Sequence, residues 1–295
     1  MKLKKLFLFS SKNFYKQSLS FYFLMNSLRL AASIYLLSIK EALAYRVSMM
    51  FTIVSFPIIM FVMYFVWGAV FTASQTDLIA GFTLEQMVSY YVMSTLLFTI
   101  IWNPIINDLH RGVREGNFTK FVVKPLSYPF FALFQSLGGR TLAFFIEFVP
   151  VMLVIAFFLA PSYVLTTNFF LFLLSVAIAF IIFHLLSLLI GSLIFWLTNP
   201  NGISFAQKLI SYVFAGGLLP LTFFPEAMQR VLLFVPFPYF NFVPATIFVG
   251  NTTFAGMEFS FMNLLLYGGL QVLILGLITF FVWRAALKEF QGVGA

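Results

Sequence analysis

Cysteine is missing altogether from the 295 residues, which excludes a disulfide framework, thiolate metal sites and a cysteine nucleophile. Charge is nearly as scarce: Asp, Glu, Lys and Arg make up 9% of the chain, against about 25% in soluble domains. Two histidines occur, His110 and His184, and neither has a second His or a carboxylate at metal-ligand spacing. No GxxxxGK[ST] phosphate loop, no GxGxxG opening a helix and no GxSxG elbow is present, so the sequence gives nucleotide hydrolysis no seat. What fills the chain is apolar: 62% hydrophobic residues, 43 of them Phe, with mean hydropathy +1.02. Disorder requires the opposite composition. No single soluble core could hide this much apolar side chain, so a bilayer must solvate it.

A hydrocarbon layer of ~30 Å takes about 20 mostly apolar residues per helix. Runs of that kind predict six spans: Val47 to Phe71, Met87 to Ile106, Thr141 to Ala160, Phe169 to Leu197, Ile203 to Phe223 and Phe261 to Trp283. A further apolar stretch, Val231 to Phe248, is cut by Pro236, Pro238 and Pro244, which deny it a continuous helix. Of the 17 Lys and Arg residues, all but Arg230 fall on one side of these spans. Cations are retained in the cytoplasm, so both termini and the 107–140 connection are expected there, in a cell (plasma or inner) membrane. The net charge of +8 is therefore a topology signal directed at anionic lipid headgroups, and a nucleic-acid partner is not expected. The fold class expected is an all-α polytopic membrane protein.

Four regions depart from simple spans. Residues 1–26 form a basic-aromatic extension; Leu6 to Phe9 is too short for the apolar core of a signal peptide. Residues 27–46 read as an amphipathic helix in the interface plane, since Arg29, Ser33 and Lys40 fall within about 40° on a helical wheel. Within the membrane-spanning region 47–295, Asn107 to Pro125 is the longest polar insertion. Asp108, Arg111, Arg114 and Glu115 there suit an exposed helical turn with i,i+3 and i,i+4 charge pairs, stopped by Gly116-Asn117. A short charged helix of this kind offers a docking surface to a soluble partner; a solvated loop is the plainer alternative. The fourth region is 216–248, where Gly216, Gly217, Pro220 and Pro225 cluster and Glu226 follows. It is too apolar for a free loop and is expected to dip back into the bilayer as one or two short helices packed on protein.

Ionisable residues inside the spans are few. Glu147 stands about 12 Å along its helix from Gly139, where a charge is costly unless it faces protein or water. Arg140 lies two turns earlier on the same face, so the two line one stripe of a pathway rather than pairing directly; a structural hydrogen bond is the alternative for Glu147. His184 reads as a packed, hydrogen-bonded histidine. Gln271, Asn103 and Asn107 read as helix–helix hydrogen-bonding residues, and Gly191-Ser192 and Gly268-Gly269 as sites of close helix approach. A proton-coupled carrier would need more intramembrane acids, and no internal repeat is visible. A secondary carrier or channel, or a non-transporting scaffold, stays open beside an energised transporter.

The segments EALAYR (Glu41 to Arg46), REGNFTKFVVKPLSYPFF (Arg114 to Phe131) and FFPEAMQRVLLFVPFPYFNFVPATIFVGN (Phe223 to Asn251), in that order and spacing, resemble the type-2 ABC exporter permeases. The likeness is to the daunorubicin- or multidrug-type branch and runs from about residue 28 to the C-terminus. It implies a six-span subunit paired with a second permease, identical or homologous. Separate ATP-binding subunits would dock below and carry ATP and magnesium, with no cofactor on this chain. It further implies that Asp108 to Lys120 is the coupling helix, with Arg111, Arg114 and Glu115 touching the ATPase. The helix before the first span would transmit movement, and 216–244 would close an outer gate.

Overall fold

The computed structural model describes residues 27–44, 46–123, 126–154, 167–196, 201–251 and 253–290. The first extension, residues 1–26, lies outside them. Helix α1, residues 27–44, buries Ala31, Ile34 and Ser38 at the three- and four-residue steps of one helical face. Arg29, Ser33 and Lys40 are exposed, as the wheel predicts. The buried face lies on a later helix, α6 (Tyr128–Ala143). There the Ser38 hydroxyl donates to the Gln135 carbonyl at 2.6 Å. Gly138 makes the contact possible, because a Cβ there would collide with the Tyr35 carbonyl oxygen.

Helix α2 spans Arg46–Ser74 and buries Phe56, Trp67 and Phe71 while exposing Phe51, Phe61 and Phe65. Helix α3, Leu84–Ile101, is the central post. Thr83 and Gln86 form a capping box at its start, satisfying two amides that would otherwise lack acceptors, and Met87, Tyr90, Met93, Leu96 and Leu97 are wholly buried. The second span was expected to reach Ile106, but α3 stops at Ile101. Pro104 disfavours helical backbone in the residue before it, and Ile105 opens a separate helix, α4 (Ile105–Arg114). After the short α5 (Thr119–Val123), the third membrane helix begins at Tyr128, well before the expected Thr141.

That third helix is not regular. Residues Phe144–Phe148 form a π turn, with the Val149 amide bonded to the Phe144 carbonyl, before α7 (Val149–Val154) resumes. Pro150 supplies the cause: it has no N–H and its ring excludes the ordinary turn beneath it, so the ladder widens. Part of the expected span, residues 155–160, falls outside the described residues. Helix α8 (Thr167–Ser192), continued by a 3₁₀ turn at Leu193–Phe195, is the hub of the bundle. It packs against α4, against α12 (Phe242–Val249) and along the final helix, α13 (Phe261–Glu289). Gly268 sits in that last contact, 3.0 Å below Ile178 for an added Cβ, whereas Gly269 faces open space.

Among the described residues, five helical stretches are long and apolar enough to cross a bilayer: Ile53–Ser74, Leu84–Arg114, Tyr128–Leu153, Phe169–Phe195 and Phe261–Glu289. The expected fifth span, Ile203 to Phe223, is instead α9, Asn201–Phe214. Its 14 residues rise about 21 Å, short of the ~30 Å layer. The chain then turns at Gly216, whose φ is +81°, a backbone conformation that favours glycine. Short helices follow, α10 (Glu226–Leu232), α11 (Phe237–Phe240) and α12, then an antiparallel hairpin of Thr253–Phe254 with Met257–Glu258. Among the described residues the fold is all-α but for this hairpin and a single bridge between Ile79 and Phe82, and it is polytopic. Exposed Leu266, Leu273, Leu277 and Phe281 on α13 form a face suited to lipid rather than water.

Candidate functional site

Helix α4 is positioned from below and behind. The Asn103 side-chain carbonyl accepts the Ile105 amide at 3.4 Å, so Asn103 caps a helix rather than bridging two, and Asn107 is exposed on the surface. Ile105, Ile106 and Leu109 are buried. They reach α8 where Gly191 leaves room, since a Cβ on Gly191 would touch Leu109 at 3.4 Å. The opposite side carries the charges. Arg111 pairs with Asp108 at 2.6 Å, while Glu115 accepts from the Asn117 amide at 3.0 Å instead of joining Arg111. Arg114 is exposed.

The chain leaves α4 through Gly116 and drops Phe118 into a box of rings. Phe118 is 1% exposed and packs on Tyr128, Phe195, Trp283 and Phe290. Tyr128 and Trp283 stack at 5.7 Å and 17°, and the Tyr128 hydroxyl donates to the Ile105 carbonyl at 3.4 Å. Three helices, α6, α8 and α13, therefore meet under the charged one. Lys120 lies 5.1 Å from the Phe121 ring centroid. Beside these rings is a groove of about 490 Å³ whose walls include Asp108, Arg111, Glu115 and Lys120, together with Leu37 and Glu41 from α1. The structure thus brings together four of the five residues expected to couple to a partner. Arg114 does not line the groove.

At the other end of the bundle the backbone is irregular. Helix α9 ends with carbonyls that have no helical partner, and α3 supplies donors. The Tyr90 hydroxyl donates to the Gly216 carbonyl at 2.7 Å and the Tyr91 hydroxyl to the Leu218 carbonyl at 3.0 Å. Asn241 donates to the Ser94 hydroxyl at 2.7 Å and the Ala215 carbonyl at 3.3 Å. Gly217 packs under Phe98 and Tyr212, each of which an added Cβ would meet within 2.8 Å. Pro220 precedes a 3₁₀ turn and Pro225 precedes α10, on which Glu226 pairs with Arg230. Gln229 fastens that helix to the hairpin: its amide group donates to the Phe224 carbonyl at 2.7 Å and its oxygen accepts the Ala255 N–H at 2.8 Å. Gln271, expected between helices, donates instead to the Phe234 carbonyl at 3.0 Å. Composition did not single out Tyr90, Tyr91, Ser94 or Asn241; the signal was four polar residues, Ser89 to Tyr91 and Ser94, gathered in an apolar span.

Glu147 sits on the π turn at 4% exposure, and its Oε2 has no hydrogen-bond partner. The Arg140 guanidinium donates to the Thr99 carbonyl at 2.7 Å, and no ion pair joins it to Glu147 among the described residues. His184 is buried and stacks on Phe180 at 6.2 Å and 22°; its Nδ1 has no hydrogen-bond partner. No group of three or more His, Asp or Glu capable of holding a metal occurs among the described residues. One feature passed over in the sequence is a cleft of about 340 Å³ between α3 and α9, lined by Thr95, Phe98, Thr99, Trp102, Lys208 and Tyr212.

No curated protein and no solved structure matches the chain. A family profile does, that of the ABC-2 family transporter proteins, over residues 57–294. It covers α13, the Phe118 box, both ends of the bundle and most of α2, and by that match the chain belongs to the ABC-2 family of transporter proteins.

Proposed function

We propose that this chain is the permease subunit of an ATP-driven exporter of the daunorubicin- or multidrug-type branch, energised by separate ATP-binding subunits. The observation that carries the reading is the charged face of α4 standing over a groove while its buried face is locked to α6, α8 and α13 through Phe118, Tyr128 and Trp283. A helix held this way passes an applied push into three membrane helices at once. Partner ATPases would engage Asp108, Arg111, Arg114, Glu115 and Lys120, and closing on ATP and magnesium would tilt the bundle between two states, each favoured by a different ligation state. A second permease, identical or homologous, would complete the pathway.

In this reading α9 with the segment to Phe223 makes the sixth crossing of the set, and 216–248 is a re-entrant outer gate built on Gly216, Gly217, Pro220, Pro225 and Glu226. Glu147 and Arg140 line the route. Both termini face the cytoplasm, and the substrate is hydrophobic or amphipathic. The test is co-purification: Arg111→Glu together with Arg114→Glu should release the ATPase subunits and abolish stimulation of their ATP hydrolysis. Retained association with unchanged stimulation would overturn the assignment, and ATP-independent transport by the purified chain would favour a carrier.

A further inference from the structure

Arg140 stands where two cavities meet. On one side is a crevice of about 180 Å³ between α1, the start of α4 and α6, with Ser38, Glu41, Asp108, Gln135 and Ser136 in its walls. On the other is a groove of about 410 Å³ between α3, α6 and α8, where Leu133, Leu137, Phe144, Val176 and Phe180 surround it. Ala177 and Ile181, also lining the groove, are exposed, so it opens on the outer surface of the bundle. Arg140 belongs to both linings and is the one charged residue in the apolar one.

A guanidinium carries five N–H donors, and Thr99 takes one of the Arg140 nitrogens. Arg140 forms no direct ion pair among the described residues: Glu147 acts on it only at longer range, and Asp108 across the crevice is already engaged by Arg111. A cation drawn out of water without a directly bonded counter-ion is costly, and the planar fork of arginine matches a phosphate oxygen pair. Polar walls on one side of the charge and apolar walls on the other have the shape of an amphiphile lying across it.

We propose that Arg140 anchors the phosphodiester of a membrane phospholipid. One acyl chain lies along the Leu137–Phe144–Phe180 groove, and the rest of the headgroup lies in the Ser38–Gln135 crevice. Glu41 in the crevice wall suits an ammonium, which makes phosphatidylethanolamine the probe. This site goes beyond the exporter reading, because binding and not transport is claimed.

The experiment uses the full chain in a phosphate-free maltoside detergent. Phosphatidylethanolamine carrying a diazirine in one acyl chain is photolysed with it, beside a diacylglycerol bearing the same chain, and labelled peptides are mapped by mass spectrometry. Label should fall on peptides containing Leu137, Phe144 or Phe180, about tenfold above the diacylglycerol probe, the ratio expected for a charge-assisted pair. Arg140→Gln should erase that ratio and Arg140→Lys should keep most of it. Ala177→Trp, which fills the groove and leaves Arg140 intact, should remove the label. Equal labelling by both probes, wild-type labelling in Arg140→Gln, or label spread evenly onto Leu273 and Phe281 would overturn the site. With the partner ATPase present, label that persists through ATP turnover identifies a resident lipid and label that falls identifies cargo; either upholds the site.

Discussion

The two ends of this bundle solve opposite problems with different chemistry. At the end that holds α4, packed side chains do most of the fastening: Gly191 admits Leu109, and Phe118 fills a box made by Tyr128, Phe195, Trp283 and Phe290. At the other end the backbone itself is broken between Phe214 and Glu226, and hydroxyl and amide groups repair it, with Tyr90, Tyr91 and Asn241 taking the orphaned carbonyls. Dispersion contacts among many rings resist displacement in every direction. A few hydrogen bonds to irregular backbone hold one arrangement and release it when their partners shift. The first suits a part that must transmit force, the second a part that must change shape.

Substitutions can break that contrast. Phe118→Ala should have the largest effect. Emptying a fully buried Phe site costs about 3–5 kcal/mol, so the apparent thermal midpoint of the detergent-solubilised chain should fall steeply and coupling to the ATPase should be lost with it. Gly216→Val should come next, because any side chain there meets the Tyr90 hydroxyl at 2.6 Å on a backbone that disfavours it. A loss of roughly 2–3 kcal/mol is expected, read as lower expression and a lower midpoint. Tyr90→Phe removes a donor while keeping the ring. Hydrogen bonds between membrane segments average about 0.6 kcal/mol, so stability should drop by about 1 kcal/mol while substrate release rates change more than the midpoint does. Asp108→Asn should be smallest, since exposed ion pairs contribute about 0–1 kcal/mol. Its midpoint should stay near wild type. A large shift there would show that the charged face of α4 is structural, and the contrast between the ends would be wrong.

Hydropathy and length made α2, α8 and α13 legible, because a bilayer imposes a fixed apolar run and these helices stay long and apolar, α2 even through Pro57. The same reasoning read α9 less well. Ile203 to Phe223 is a mostly apolar run that carries Gln207 and Lys208, and hydropathy cannot see that the helix ends at Phe214 and the backbone turns at Gly216 inside it. It also started the third helix late, because Arg140 looked like a boundary when its guanidinium is accommodated by the Thr99 carbonyl on α3. The charged face of α4 was readable from the three-residue step between Asp108 and Arg111, and the pair forms. The ring box was not, since its members are scattered from Phe118 to Phe290 and nothing distinguishes its three phenylalanines among the 43 of the chain.

The π turn at Phe144–Phe148 has a mechanical consequence. A helix is a stiff rod only where every rung of its ladder is present, and Pro150 leaves one rung out in the middle of a membrane-crossing rod. Below that joint, α6 is clamped to α1 at Gly138 and to Trp283 through Tyr128; above it, α7 leans on α2 around a small apolar hollow walled by Phe56, Met60 and Val151. The two halves can therefore pivot about the buried carboxyl of Glu147 without tearing either one from its own neighbours.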